Sequence, residues 1–135
     1  MDDIIRDFHD LAEIPPFQKM IQNKKYMDTE EHLDVLQMNI GRKCNLVCKH
    51  CHVDAGPGRT EEMSKEVMDA CLTFAKEQNI ATIDITGGAP EMNPHLEYLI
   101  EESSKICDHI IVRTNLVILL EKNMSILWKY MQGIK

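Results

Sequence analysis

Basic residues are in short supply in this 135-residue chain: 15 lysines and arginines face 22 acidic residues, for a net charge of -7 and no basic stripe. Nucleic acid and anionic membrane surfaces recruit proteins through positive fields, so neither is expected as the principal partner. Long apolar runs are also missing. The longest, LVILL over 116–120, falls far below the roughly twenty residues that cross a bilayer. The opening residues MDDIIRDFHD lack the basic stretch followed by an apolar one that marks a secretory signal. The cytoplasm is therefore the expected compartment. The five cysteines, at 44, 48, 51, 71 and 107, are odd in number. Without an export signal they are expected as reduced thiols, not as a disulfide framework.

The length fits one domain able to bury roughly two thirds of the surface of its unfolded chain. Residues 1–32 read as an N-terminal extension, with a short amphipathic helix over 3–12 stopped by Pro15 and Pro16. LDVLQMNI at 33–40 alternates as a strand would and ends at Gly41. After the loop DAGPGR, Thr60 is placed to cap a helix with Glu61 and Glu62 in its first turn and Met63, Val67, Cys71 and Phe74 along one face, running to about Asn79. IATIDI at 80–85 reads as a buried strand. Asn93 and Pro94 open a second helix with Leu96, Leu99, Ile100 and Ser103 on one face. HIIVRT at 109–114 is a third strand, and a third helix is expected from about 117 or 121 to 132, ending at Gly133. The class is α/β, with a parallel sheet. Sites in such sheets gather at the C-terminal strand ends, where 41–59, 86–93 and 113–116 lie in turn. Cys71 and Cys107 sit in helical apolar patterns and read as small core hydrophobes.

The remaining cysteines form C-x3-C-x2-C over Cys44, Cys48 and Cys51. A zinc site would need a fourth ligand from His50, His52 or elsewhere. A redox pair of Cys48 and Cys51 would leave Cys44 idle and expects a helix where HVDAGPG stands. Three thiolates also suit a four-iron four-sulfur cluster with one iron open to a small molecule. Spacing alone does not choose among the metals.

The longer element CNLVCKHC after the first strand resembles the cluster loop of the radical S-adenosylmethionine superfamily, with His50 where an aromatic is usual. CNLVCKHCHVDAGPGRTEEM, DITGGAPEMNPH and VRTNL together are similar to the three signature blocks of its arsenosugar-biosynthesis family. The resemblance implies a partial (β/α) barrel of the TIM type, of which about half is present as a shortened core over 33–135, the first three strand-helix units. It implies a 4Fe-4S cluster on Cys44, Cys48 and Cys51, and S-adenosyl-L-methionine beside Gly87, Gly88, Glu91, Arg113 and Asn115. Glu91 would meet its ammonium, and Arg113 and Asn115 its ribose or carboxylate. No catalytic side chain is assigned. His52, Asp54 and Arg59 match the family block without a fixed role. The implied reaction cleaves S-adenosylmethionine to a 5'-deoxyadenosyl radical and joins that group to a methylated arsenical. An electron donor such as flavodoxin or ferredoxin is implied, as is a polypeptide supplying the rest of the barrel. The alternatives that these residues allow are a noncatalytic iron-sulfur or zinc-binding fragment, or a radical S-adenosylmethionine protein with another substrate.

Overall fold

A computed structural model of the chain describes residues 32–121, where strand, helix, strand, helix and strand follow one another. β1 spans Val35–Asn39, α1 Lys65–Glu77, β2 Thr82–Thr86, α2 Leu96–Ser103 and β3 His109–Val112. The strands are parallel, in the order β1-β2-β3. The expected α/β class is thus the observed one. The helix expected over 3–12 and the part of the third helix beyond residue 121 lie outside the described residues.

Pairing sets Leu36 beside Ile83 and Ile83 beside Ile110, with Met38, Ile85 and Val112 in a second row. Alternate residues of a strand share a face. Both rows pack against Met68, Leu72 and Ala75 of α1 and Leu96, Leu99 and Ile100 of α2 in one core. The two helices therefore cover the same face, as in a barrel wall and unlike a doubly wound sheet. The other face carries Gln37, Asp84 and Ile111 in one row. Asp84 is nevertheless buried.

The helix expected from Thr60 begins instead at Lys65, with Ser64 as N-cap residue. Residues 61–63 run extended beside the end of β1: Arg42 donates its N–H to the Glu61 carbonyl at 2.9 Å, and Met63 donates to the Ile40 carbonyl at 2.9 Å. Pairing satisfies backbone groups that a cap at Thr60 would have left in competition. The buried stripe also differs from expectation. Val67 and Phe74 are 49% and 41% exposed, and Met68, Leu72 and Ala75 face the sheet. The two apolar stripes are about 100° apart on the wheel, so periodicity alone does not select one.

On α2 the expected residues Leu96, Leu99, Ile100 and Ser103 are buried. The helix opens later than Asn93, after a 3-10 turn at Pro90–Met92. Asn93 is instead a junction: its Nδ2 donates to the carbonyls of Ile40 at 2.8 Å and Met63 at 3.2 Å, and its Oδ1 accepts the His95 N–H at 2.8 Å. After β3, residues expected to start a third helix form a 3-10 turn at Val117–Leu120, entered through Leu116 at φ 60°. Asn115 Oδ1 accepts the Ile118 N–H at 3.0 Å and Ile118 is fully buried, which fixes the turn.

Asn93→Ala removes hydrogen bonds that join three segments, and a loss of this kind at a buried group costs about 1–3 kcal/mol. The expected result is a urea midpoint lowered by the equivalent of about 2–3 kcal/mol at unchanged slope. A change below about 0.5 kcal/mol would refute the junction role.

Candidate functional site

The three loops expected at one rim are bonded to one another. Gly88 donates its N–H to the Gly41 carbonyl at 2.9 Å, Ala89 donates to the Lys43 carbonyl at 2.9 Å, and Asn115 Nδ2 donates to Asn45 Oδ1 at 2.9 Å. A β-carbon on Gly88 would stand 2.5 Å from the Lys43 oxygen and 2.9 Å from Ala55 Cβ. One on Gly87, whose φ is +158°, would stand 2.7 Å from the Gly41 oxygen. Glycine is thus required at both positions by the approach of one loop backbone to another. Beneath the rim, Cys44, Ala55, Ala89 and Ile118 form a small second core.

Cys44 is buried, Cys48 exposed and Cys51 half-buried, all as free thiols. The Leu46 N–H points at Cys44 Sγ from 3.4 Å, and Asn115 Nδ2 approaches the same sulfur at 3.7 Å. Cys51 Sγ accepts the Ala55 N–H at 3.3 Å. Asp54, at φ 51°, turns the chain back over Cys51. The amides of Ala55 foremost, then Val53 and Asp54, lower the Cys51 thiol from its ordinary value against the opposing effects of burial and the Asp54 charge. Such donors favour the thiolate, which is the form that binds metal. Among the described residues no three histidine, cysteine or acidic side chains converge as a metal-holding group. A tetrahedral zinc site needs its donors gathered about one ion at about 2.3 Å, whereas an iron-sulfur cluster takes each thiolate on a separate iron. Amides aimed at Cys44 and Cys51 suit these thiols to act as thiolate ligands, as a cluster requires.

His50 and His52 are exposed. Arg59 closes the loop, with Nη1 3.3 Å from Asp54 Oδ2 and Nη2 2.8 Å from Glu61 Oε1. Cys71 packs against the main core. Cys107 donates to the Ser103 carbonyl at 3.1 Å, and burial pushes its thiol up. Both match their reading as structural residues, although Cys107 stands past the end of α2 and not on a helix.

Glu91 lies buried in the 3-10 turn after β2, with neither carboxylate oxygen hydrogen-bonded among the described residues. Arg113, in contrast, is engaged. Its Nε donates to Asp84 Oδ1 at 2.8 Å and its Nη2 to Asp84 Oδ2 at 2.8 Å, while Gln37 Nε2 donates to Oδ2 at 2.9 Å. The Arg113 guanidinium, with help from Gln37, holds the Asp84 carboxyl below its ordinary value despite burial, and Asp84 raises Arg113 in turn. Asn115 is committed to Asn45 and Ile118. The sequence reading missed Asp84 and Gln37; the available signal was a carboxylate in the middle of the apolar strand IATIDI.

A depressed folded-state value means that Asp84 stabilises the fold fully above the unfolded carboxyl value near about 3.9, and loses that contribution as pH falls through the lower folded value. The stability difference between wild type and Asp84→Asn is therefore expected to be largest above about pH 4 and to shrink below it. Urea midpoints of both proteins across the acid range test this, and a pH-independent difference would refute it.

The family model of the radical SAM superfamily matches residues 38–133. Molybdenum cofactor biosynthesis protein 1 of Dictyostelium discoideum is 31% identical over 78% of this chain and 18% of that protein. A probable GTP 3',8-cyclase of Archaeoglobus fulgidus is 33% identical over 64% of this chain and 29% of its own length. The antilisterial bacteriocin subtilosin biosynthesis protein AlbA of Bacillus subtilis is 25% identical over 68% of this chain and 20% of its own. The chain thus spans less than a third of the length of each of these relatives. Their names point to several biosyntheses, so the matches support the superfamily and not its arsenosugar branch. With a cysteine loop at the C-terminal rim of a singly covered parallel sheet, and a family match over most of its length, this chain belongs to the radical SAM superfamily, whose cofactors are a 4Fe-4S cluster and S-adenosylmethionine.

Proposed function

We propose that this chain forms the cofactor-binding wall of a radical SAM enzyme, with Cys44, Cys48 and Cys51 as the cluster ligands. The observation that carries this reading is the set of amides directed at the sulfurs of Cys44 and Cys51 on the loop that follows β1. When bound, the reduced cluster supplies the electron that cleaves a carbon-sulfur bond of S-adenosylmethionine to methionine and a deoxyadenosyl group. The protein's share is binding, orientation and exclusion of solvent. Glu91 suits the cofactor's ammonium, because a buried carboxylate without partners is stabilised by a cation brought to it. Arg113 suits its carboxylate, and Asn115 holds the third loop against the cysteine loop.

The substrate we propose is a methylated arsenical that receives the deoxyadenosyl group. Support for it comes from the residue blocks around CNLVCKHCHVDAGPGR, GGAPE and VRTNL. Flavodoxin or ferredoxin would reduce the cluster in the cytoplasm. No described helix is long and apolar enough to cross a membrane.

Anaerobic reconstitution with iron and sulfide is expected to give about four irons per chain. Cys44→Ala, Cys48→Ala and Cys51→Ala should each lose the cluster, and Cys71→Ala should keep its iron with slightly lower stability. Stoichiometric zinc with no cluster would overturn the assignment in favour of a noncatalytic metal-binding fragment. Formation of 5'-deoxyadenosine, with attachment to a trivalent methylated arsenical followed by mass spectrometry, tests the reaction.

Glu91→Gln should raise the urea midpoint of the cofactor-free protein by the equivalent of about 1 kcal/mol or more while weakening S-adenosylmethionine binding. Lower stability with unchanged binding would remove Glu91 from the site.

A further inference from the structure

The Asp84 cluster lies on the sheet face that neither helix covers, and its geometry has a direction. Asp84 has 5% of its side-chain surface exposed and Arg113 has 60%. The carboxylate grips the guanidinium side-on: Nε lies 2.8 Å from Oδ1 and 3.1 Å from Oδ2, and Nη2 lies 2.8 Å from Oδ2. Gln37, the in-register neighbour of Asp84 on β1, donates to Oδ2 at 2.9 Å and fixes the plane of the carboxylate from the opposite strand. A guanidinium has five N–H donors in a rigid fork. Side-on pairing uses the Nε and Nη2 edge and leaves the Nη1 and Nη2 edge unoccupied, which is a second bidentate site of the right shape for a carboxylate.

Position gives that free edge its meaning. Arg113 follows the last residue of β3 and still donates its backbone N–H to the Ile85 carbonyl at 2.9 Å, so it stands at the C-terminal end of the sheet. Asn115, two residues on, reaches Cys44 Sγ at 3.7 Å and Asn45 Oδ1 at 2.9 Å. The clamped guanidinium and the cysteine loop are therefore joined by one short segment. An unclamped arginine at the end of a strand would sample many rotamers, and ordering it on binding would weaken affinity. A buried ion pair does little for folding compared with an apolar replacement. Its physical effect here is to hold a cation in one orientation.

We propose that Asp84, backed by Gln37, is a positioning residue that fixes Arg113 with its outer edge ready for the carboxylate of S-adenosylmethionine. The inference rests on the assignment of this rim to that cofactor.

The test measures equilibrium binding of S-adenosylmethionine and of its decarboxylated analogue to the cluster-reconstituted chain, anaerobically and without reductant so that no cleavage occurs. Wild type should prefer the carboxylate-bearing ligand by about tenfold or more. Arg113→Gln should reduce the preference several-fold, since a carboxylate can still bind the open iron. Asp84→Ala and the milder Asp84→Asn should reduce it several-fold while leaving affinity for the decarboxylated analogue unchanged, and Gln37→Leu should act in the same direction more weakly. Equal weakening of both ligands in the Asp84 variants would mean a merely structural role and overturn the proposal, as would an unchanged preference. Wild-type binding of both ligands with equal affinity would overturn the clamp and leave the cofactor assignment standing. Failure of wild type, with its cluster intact, to bind either ligand would overturn both.

Discussion

Where the loop after β2 crosses the end of β1, Gly88 sits so close to residues 41–43 that a β-carbon would lie 2.5 Å from the Lys43 oxygen. The same crossing supplies hydrogen bonds from Gly88 to Gly41 and from Ala89 to Lys43, each at 2.9 Å. The cysteine loop leaves β1 through those residues, so its first ligand position is set by backbone contact between two strand exits. Cys44 N–H then donates to the Gly56 carbonyl at 3.2 Å and Gly56 N–H donates to Arg42 at 3.1 Å, which folds the far end of the loop back onto its start. Ala55 enters the small core beside Cys44 and delivers its amide to Cys51 Sγ. A chain of short-range constraints thus runs from two glycines to the protonation preference of a thiol.

The sheet below supports this rim by being unequal on its two faces. Leu36, Ile83 and Ile110, with Met38, Ile85 and Val112, give the helices an apolar surface to bury. That burial carries the fold, at roughly 25 cal/mol for each Å² of apolar surface removed from water. The opposite face is free to carry polar groups at no loss to the main core, and Gln37, Asp84 and Arg113 use that freedom. The division of labour follows from period-two alternation in parallel, in-register strands.

Much of this was legible in the sequence because it depends on local pattern. Alternation in LDVLQMNI, the apolar run IATIDI and the helical spacing of Leu96, Leu99, Ile100 and Ser103 are intrinsic to their segments. C-x3-C-x2-C marks the loop without reference to anything distant. The misreadings all involve competition between segments. Thr60 loses its expected capping role because residues 61–63 find backbone partners on Ile40 and Arg42. Val67 and Phe74 yield the sheet to Met68, Leu72 and Ala75 because two apolar stripes lie side by side and only the docked geometry selects one. Asp84 and Gln37 are 47 positions apart, and strand register alone brings them together with Arg113. The roles of Gly87 and Gly88 were similarly hidden: the sequence shows that close approach is permitted there, and the fold shows what approaches.

Two buried carboxylates among the described residues, Asp84 and Glu91, have opposite solutions to the same electrostatic problem. Removal of a carboxylate from water costs several kcal/mol unless other groups replace its solvation. Asp84 is supplied from within the chain by a guanidinium and a side-chain amide, so its charge is settled in the folded protein before any ligand arrives. Glu91 has equal burial and no such supply among the described residues. The first arrangement makes a rigid support and the second a point of unmet demand. Under the proposed assignment an ammonium would complement Glu91 and a carboxylate would complement the outer edge of Arg113. One satisfied and one unsatisfied carboxylate thus divide two tasks, rigidity on the polar sheet face and an open demand for a cation in the turn after β2.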